Sequence, residues 1–502
     1  MTIGVRFVAF FVASVISFSV SGRPEPSATA AWKALPTKDR QLLDDVEHRT
    51  FEYFRVSTST TNGLAPDHWP KDDSGDFFAS IAATGFALTS YGIGVERGWM
   101  KRKEAVQRTL ATLKFLASAR QSEAASASGF HGFFYHFLDM DSGQRYASRS
   151  DIELSSLDTA ELMAGVLFSM SYFDKDTPDE RNIRKLADQV YRDVDWKWFT
   201  NGALLFEGGW TPEHSYDHNF YRGYSEALTL YLMALGSPTH PVPTETWNEW
   251  TKSYDNTWGE FQGQEHLGGG PLFWHQYTHV WYPFRGIQDE YMHRRGLDYF
   301  TNSQRATISQ RQYAIHNPLN WKDYGADVWG LTACNGPRGA TPPGEVDRYI
   351  NDPKTFYGYI ARGAGLNYTV DDGTIAPTAG VSSIAFAPDI VIPLVRALSQ
   401  RYGDAVYTRY GFVDAFNPSF GFTDRPLRTG KIVPNVGWVD SVYIGIDQGP
   451  ILGMIENYRS GFVWRVMRSN PYIRAGLLRA GFSGGWLADQ SASSSTQRDV
   501  RH

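Results

Sequence analysis

The segment EGGWTPEHSYDHNFYRGYSEALTLYLMALGSPTHP, residues 207–241, is the stretch around which the rest of the chain is organised. Its first half, rich in Gly, Trp, Pro and His, is too irregular for a helix, whereas residues 228–235 are apolar with helical periodicity. Glu226 therefore lies where a loop becomes a helix. Because the helix dipole favours acidic residues at this position, a capping role and a functional role for Glu226 are both open.

Aromatic and polar side chains precede Glu226, among them Trp210, Tyr221 and Tyr224. A pyranose ring presents C–H faces that pack on aromatic rings and hydroxyl edges that need polar partners. The combination of one carboxyl and many aromatic rings is typical of a sugar-binding cleft. We therefore predict that Trp210, Tyr221 and Tyr224 contact a carbohydrate beside Glu226.

Composition excludes several classes of partner. The 502 residues carry a formal net charge of -6 and only 20% charged residues, without a basic stripe for nucleic acid or a polybasic membrane patch. Cys334 is the one cysteine, so no intramolecular disulfide forms, and we favour a small buried hydrophobe over a nucleophile there. Aromatic residues make up 15% of the chain, which fits a large core, a ring-lined cleft, or both.

The N-terminus has the pattern of a signal peptide. Arg6 precedes an apolar run at residues 7–20, and Ala28-Thr29-Ala30 follows as a small-residue cleavage site. We predict a signal peptide at residues 1–30, export to the periplasm or further out, and no membrane contact after its removal. Residues 31–490 are expected to form one domain, and residues 491–502 a disordered tail.

Helical periodicity recurs along the mature chain, at residues 38–54, 77–95, 102–119, 157–172, 180–193, 224–234, 303–317, 387–402, 449–459 and 470–480. Strand-like alternation is limited to short pieces such as 202–206 and 442–446, so a parallel sheet is not expected. The pieces between helices are long and rich in Gly, Pro and Trp. The pattern predicts an all-α domain with functional loops gathered at one end.

Asp158 and Glu161 lie three residues apart at the start of an apolar helical segment, so they share a helix face. Ser155 and Ser156 precede them, and this combination is also a good helix N-terminus signature. We favour a role in the site over a capping role. The helix that follows is so apolar that it is expected to be buried, and its acidic pair would then face the interior of the protein.

The segment FWHQYTHVW at residues 273–281 contains His275 and His279, which are four apart and could bind a metal if helical. No third ligand is evident, so we predict no metal site. Hydrogen bonding to sugar hydroxyls is the functional interpretation, and a structural role for the pair is also open. Trp281 and Arg285, which follow closely, are candidate substrate contacts.

Further loops carry candidate residues. Trp329 and Thr332 lie in DVWGLTA, where Gly fixes the backbone of a substrate-facing loop. Asp414 lies in the turn of GFVDAFN, and Asp447 lies in IDQGP just before a helix. Position alone favours an Asx-turn or an N-cap for each of these two aspartates.

Taken together, ordered motifs identify a resemblance: WHQYTHVW followed by FR, DYFTNSQRAT, DVWGLTA, DGTIAPTA, SSIAFAPD, YGFVDAFN and IDQGPILGMIENYRSG. From about residue 42 to residue 479 the chain resembles the glucoamylase-like domain of the bacterial endo-β-1,2-glucanases of glycoside hydrolase family 144. The resemblance implies an (α/α)6 barrel and inverting hydrolysis of β-1,2-glucan to short sophoro-oligosaccharides. It also implies that no metal or other cofactor is required.

Residue by residue, Glu226 in YSEAL resembles the family's general acid and Asp414 in GFVDAFN its general base. Asp158 and Glu161 resemble an acidic cluster near the cleavage point, and Asp447 is a further substrate-site candidate. The chain departs from the family pattern at residues 151–154 and 335–340, which affects the expected subsites.

The implied chemistry requires a protonated acid and an ionised base about 6.5–9.5 Å apart. We expect apolar walls to raise the pKa of Glu226, and Asp414 in its polar turn to stay ionised.

Three functions remain open at this stage. The leading one is an endo-acting β-1,2-glucanase that works as a monomer. The second is an exo-acting sophorose-releasing hydrolase or a transglycosylase of the same fold. The third is a catalytically silent glucan-binding protein. The presence of all four carboxyls, Asp158, Glu161, Glu226 and Asp414, argues against the third function, because binding alone has no chemical need for them.

Overall fold

The computed structural model describes residues 28–71, 77–146, 152–338, 356–424 and 426–488. The predicted tail at residues 491–502 lies outside these ranges, as does the signal peptide predicted at residues 1–30, except for its last three residues, which begin a helix. Within the described ranges, each helix is either too short or too polar to cross a membrane.

The described part of the chain is about 47% helical and contains 17 α-helices. They are α1 (Ala28–Ala34), α2 (Thr37–Ser57), α3 (Ile81–Glu96), α4 (Arg102–Ser118), α5 (Ser156–Tyr172), α6 (Pro178–Arg192), α7 (Leu228–Gly236), α8 (Glu245–Thr251), α9 (Phe273–Trp281), α10 (Glu290–Arg295), α11 (Tyr299–His316), α12 (Pro377–Val381), α13 (Pro388–Arg401), α14 (Gly445–Ser460), α15 (Phe462–Arg468), α16 (Pro471–Arg479) and α17 (Gly485–Ala488). Each of the ten predicted helices overlaps one of these.

Short strands occupy the connections between helices. They are β1 (His68–Trp69), β2 (Phe78–Ser80), β3 (Gly129–Phe130), β4 (Phe133–Phe134), β5 (Phe137–Asp139), β6 (Leu154–Ser155), β7 (Gly209–Thr211), β8 (Ser215–Tyr216), β9 (Trp258–Phe261), β10 (Gln264–Leu267), β11 (Ala333–Cys334), β12 (Ile360–Ala361), β13 (Gly363–Gly365), β14 (Tyr368–Val370), β15 (Tyr407–Thr408), β16 (Gly411–Phe412), β17 (Phe416–Asn417), β18 (Lys431–Val433), β19 (Gly437–Val439) and β20 (Tyr443–Ile444).

All of these strands pair antiparallel, in sheets of two strands or in the three-stranded sheets β6-β7-β8 and β17-β19-β18. The strand predicted at 202–206 is wrong, because the chain forms turns there. The strand predicted at 442–446 is present in part, as β20. Strands of two to four residues contain too few alternations to be recognised from periodicity.

Helix packing forms one large hydrophobic core. Helix α3 packs against α5 and α14, α5 also packs against α7, and α9 packs against α14 and α7. Helices α3 and α5 are buried on almost every side, as expected for helices that are apolar all round. Glycines permit the closest contact, since a Cβ added to Gly165 would lie 2.1 Å from the Gly85 carbonyl oxygen.

The N-terminal ends of two of these helices carry candidate carboxyls. The Ser155 hydroxyl accepts a hydrogen bond from the Asp158 N–H at 3.0 Å and so caps α5. Asp158 is therefore the third residue of α5, and Asp447 is likewise the third residue of α14. Packing of the helices thus places both aspartates at helix N-termini.

Candidate active site

Two neighbouring cavities contain the polar side chains of interest. The first, here named the Trp274 cavity, has a volume of about 370 Å³ and is lined by residues that include Glu153, Tyr221, Arg222, Glu226 and Trp274. The second, the Asn335 cavity, has a volume of about 460 Å³ and is lined by residues that include Asp67, His136, Asn335, Tyr359 and Ile446. The two cavities adjoin at a hydrogen bond between His136, which lines the Asn335 cavity, and Glu153, which lines the Trp274 cavity; Nδ1 and Oε1 are 2.8 Å apart.

Glu226 lies in the Trp274 cavity, just before the first turn of α7. Its side chain is half-buried, and its Oε2 is a buried atom without a hydrogen-bond partner among the described residues. Burial and the charge of Asp158 together raise the pKa of Glu226 to about 8, against the opposing effect of a backbone N–H. This carboxyl is therefore protonated at neutral pH, and the expected direction of its pKa shift is confirmed.

Asp158 and Glu161 lie close to Glu226, at the start of α5. The capping function belongs to Ser155, so the Asp158 carboxyl is not needed for it. Burial and the charges of Asp158 and Glu226 raise the pKa of Glu161 well above its ordinary value. Burial also raises the pKa of Asp158, although His136 opposes the shift. The structure thus brings together three carboxyls that the sequence singled out.

Asp414 belongs to a second carboxyl cluster, beside the Asn335 cavity. It is 1% exposed, and its Oδ2 accepts a hydrogen bond from the Asn335 N–H at 2.8 Å. Burial, with the charges of Asp447 and Asp440, raises the pKa of Asp414 well above its ordinary value. The expectation that Asp414 stays ionised in a polar turn is wrong, because the turn is buried among other acids that favour its protonated form.

Asp447 and Asp440 complete this cluster. Burial outweighs the opposing hydrogen bonds from the Asp414 carboxyl and the Tyr277 hydroxyl, so the pKa of Asp447 is raised to about 7. The Asn335 side-chain amide donates to Asp440 Oδ2 at 2.8 Å. Because adjacent buried carboxylates repel each other, the cluster binds protons more tightly than separate, exposed carboxyls would.

Tyr277 on α9 interacts with both carboxyl clusters, the one beside the Trp274 cavity and the one beside the Asn335 cavity. Burial raises the pKa of its phenol well above the ordinary value, with further contributions from Asp447 on one side and from Glu161 and Glu226 on the other. Tyr277 was not predicted as a site residue, although it lies in the middle of the FWHQYTHVW motif. His136 and Asp440 were not predicted either, because no local pattern distinguishes them.

Several predicted substrate contacts lie behind the cavity walls. Tyr224 packs on the buried His275 with ring centroids 4.9 Å apart, and the Ser303 hydroxyl lies 3.1 Å from His279 Nε2. The Thr332 hydroxyl accepts a hydrogen bond from the Phe273 N–H. The core residues of this group are Tyr224, His275, His279, Trp281, Trp329 and Thr332. The structure gives them supporting positions rather than a surface that faces a ligand.

Two other candidates are separate from the cavities. Trp210 packs on Phe130 and Trp198, with ring centroids 5.5 Å apart in both pairs. Arg285 is exposed, and its guanidinium lies 3.9 Å from the ring centroid of Phe300. Among the described residues, no group of three or more His, Cys, Asp or Glu side chains is arranged to hold a metal ion.

Comparison with known proteins gives the family. The family described as "Putative glucoamylase" matches residues 218–471. A curated relative from Parabacteroides distasonis, described as an exo beta-1,2-glucooligosaccharide sophorohydrolase acting at the non-reducing end, is 27% identical over 499 residues. The match covers 93% of this chain and 61% of the relative, so the chain spans about three fifths of that protein's length.

Solved structures agree in fold over nearly the whole chain. A glucoamylase-like protein from Bacteroides fragilis is 30% identical with a TM-score of 0.75, and the match covers 90% of this chain and 99% of that one. An endo-beta-1,2-glucanase from Chitinophaga pinensis, solved with sophorotriose and glucose, is 27% identical with a TM-score of 0.75, covering 90% and 100%. The chain described here belongs to the glucoamylase-like family.

Proposed function

We propose that the protein is a glycoside hydrolase that cleaves β-1,2-linked glucan to short sophoro-oligosaccharides. The observation that carries the proposal is the half-buried Glu226, held protonated at neutral pH in a cavity wall beside further carboxyls. A carboxylic acid kept neutral in this way can donate a proton to a leaving glycosidic oxygen. The β-1,2 linkage is inferred from the relatives in Parabacteroides distasonis and Chitinophaga pinensis.

The proposed architecture is an (α/α)6 barrel. Helices α3, α5, α7, α9, α12 and α14 would form its inner ring, since five of the six neighbouring pairs pack together and Gln276 of α9 hydrogen-bonds the Ala379 carbonyl of α12. Two of these helices carry carboxyls in their first turns. The loops at these N-terminal ends would then build the cleft. The agreement with the Bacteroides fragilis structure supports this arrangement.

The proposed mechanism is an inverting displacement. Glu226 donates its proton to the leaving oxygen while the bond from that oxygen to the anomeric carbon breaks. A water molecule attacks the anomeric carbon from the opposite face and transfers a proton to Asp414. Asp414 must be ionised for this step, so the proton that burial and its acidic neighbours keep on it would first have to move to Asp447.

We propose endo-acting cleavage, because the Trp274 and Asn335 cavities adjoin at His136 and Glu153, which makes the site longer than the cavity that Glu226 lines. The exo-acting relative from Parabacteroides distasonis favours release of sophorose units as the second candidate. Incubation of the protein with linear β-1,2-glucan, laminarin, cellulose-type and starch-type glucans, followed by chromatography from the first minutes, tests both. A ladder of oligomers from β-1,2-glucan alone supports endo cleavage, whereas sophorose alone from the start supports exo cleavage.

The absence of any product from all four glucans would refute hydrolysis, and binding without turnover would point to a glucan-binding protein. We also propose export to the periplasm or beyond, on the pattern of residues 1–30. Fractionation of cells that express the whole chain tests this, and a cytoplasmic protein of unprocessed mass would contradict it.

A further inference from the structure

His136 lies between two carboxyl groups. Its Nδ1 is 2.8 Å from Glu153 Oε1, and its Nε2 is 3.3 Å from Asp158 Oδ1. Ionised carboxylate oxygens only accept hydrogen bonds, so both ring nitrogens must carry a proton if each of them donates. The geometry is that of an imidazolium held between two carboxylates.

The surroundings of His136 fit a cation. The side chain is 29% exposed, and its ring stacks on Phe137 with centroids 4.0 Å apart. Burial lowers the pKa of the imidazole, but the charges of Asp158, Glu153 and Asp67 outweigh this effect and raise it to about 9. Glu153 and Asp158 lie on either side of β6 in one segment, whereas Asp67 comes from a distant part of the chain, so the charge of His136 faces two separate segments.

Asp158 is held from two sides. His136 faces its Oδ1, and the Ser155 hydroxyl donates to its Oδ2 at 2.5 Å. Two contacts on different oxygens fix the plane of the carboxylate. The charge of Asp158 in turn raises the pKa of Glu161 and of Glu226.

We propose that His136 is a positioning residue, which as an imidazolium clamped between Glu153 and Asp158 holds Asp158 as an oriented carboxylate beside Glu226. The kinetic part of this inference rests on the proposed hydrolase function. The structural part does not, because the charge state of His136 can be measured without substrate.

The charge state is tested by NMR of the full protein labelled with ¹³C and ¹⁵N in histidine. We expect the signals of one histidine ring to show the imidazolium form throughout pH 6 to pH 8. These signals should be missing from the spectrum of His136→Gln. In Asp158→Asn the same ring should titrate at lower pH, because it has lost one carboxylate. A neutral His136 at pH 7 in the wild-type protein would overturn the proposal.

The positioning role is tested by pH profiles of kcat/KM on β-1,2-glucan. Without the imidazolium the pKa of Asp158 rises, so His136→Gln should move the acid limb up by about one pH unit and lower kcat/KM by about 10- to 100-fold. Glu153→Gln removes a charge that raises the pKa of Asp158, so its acid limb should move down. His131→Gln is the matched control, since that ring faces Asp195 at 3.8 Å and lines neither cavity.

Opposite shifts of the acid limb are not expected from general damage to the fold. Equal losses of kcat in both variants with unmoved limbs would overturn the positioning role. If His136→Gln fails to fold, Glu153→Gln and the wild-type NMR signal still decide the question. A wild-type protein that hydrolyses no β-1,2-glucan would refute the proposed function and leave the charge state of His136 to the NMR result.

Discussion

Replacement of Glu226 by Gln tests the central step of the proposed reaction. The amide keeps the size of the carboxyl but has no acidic proton to donate. Burial and the charge of Asp158 raise the pKa of Glu226 from its ordinary value of 4.5 to about 8. At pH 7 the carboxyl is then roughly nine-tenths protonated, whereas at its ordinary pKa less than about 1% would be.

The expected loss follows from the role of a general acid. Positioned proton transfer contributes about 10²- to 10⁴-fold in rate, equivalent to roughly 3–5 kcal/mol of transition-state stabilisation. We therefore expect kcat on β-1,2-glucan to fall by about 10³-fold in Glu226→Gln, with KM little changed. In the wild-type protein the alkaline limb of kcat/KM should lie near pH 8, where Glu226 loses its proton.

The assay compares two leaving groups. Reducing-end release from β-1,2-glucan needs protonation of a sugar oxygen, but a β-sophorosyl fluoride releases fluoride without it. Glu226→Gln should hydrolyse the fluoride within about 10-fold of the wild-type rate while failing on the glucan. If both substrates lose the same factor, or if the glucan is still cleaved at the wild-type rate, Glu226 is not the general acid.

Three further changes test the base cluster, the buried histidines and the helix packing. Asp447→Asn keeps a hydrogen-bond donor for the general base Asp414, so it should lower kcat by less than about 10-fold, whereas Asp447→Leu should lower kcat more than about 100-fold. Equal losses of kcat in steady-state assays would contradict the idea that a proton shared with Asp447 stabilises Asp414. Burial lowers the pKa of His279 from 6.5 to about 3, so the unfolded state binds a proton first as pH falls. The unfolding free energy from urea titrations should therefore decrease below pH 6.5 by up to about 1.4 kcal/mol per pH unit. The decrease should be less steep in His279→Gln, and parallel pH dependences of the two proteins would refute a contribution from His279. Gly165→Ala places a Cβ 2.1 Å from the Gly85 carbonyl oxygen and should destabilise the protein by about 1–3 kcal/mol or more. Gly421→Ala is the control, because open space surrounds that position. Equal melting temperatures of the two variants would refute the close packing of α3 and α5.

The helices could be predicted from sequence because their apolar faces repeat with helical period. Helix α5 shows the limit of such signals. Ser155 and Asp158 form a pattern that suits either a cap or a site, and only the structure shows Ser155 as the cap. Helix α9 was not predicted, since its aromatic residues and histidines interrupt the pattern, and Tyr277 was therefore missed.

The charge environment of the site could not be predicted, because residues distant in sequence create it. Asp414 occupies a turn that looks polar, yet the fold buries it against Asp447 and Asp440. His136 follows a run of aromatic residues without any local sign of its two carboxyl neighbours. Pairwise contacts of this kind depend on tertiary packing, which local periodicity does not encode.

The position of Asp158 and Asp447 as the third residues of α5 and α14 helps to explain how buried carboxyls are tolerated at this site. A helix N-terminus favours an anion by about 0.3–1 kcal/mol, or about 2 kcal/mol when partly buried. Burial of a charge costs several kcal/mol, so the dipole offsets only part of that cost. Accordingly the pKa of Asp158 is raised, and that of Asp447 is raised to about 7. The Asp447 carboxyl therefore changes protonation close to neutral pH, as acid–base catalysis requires, and the packing that brings these N-termini to the cleft is part of the proposed chemistry.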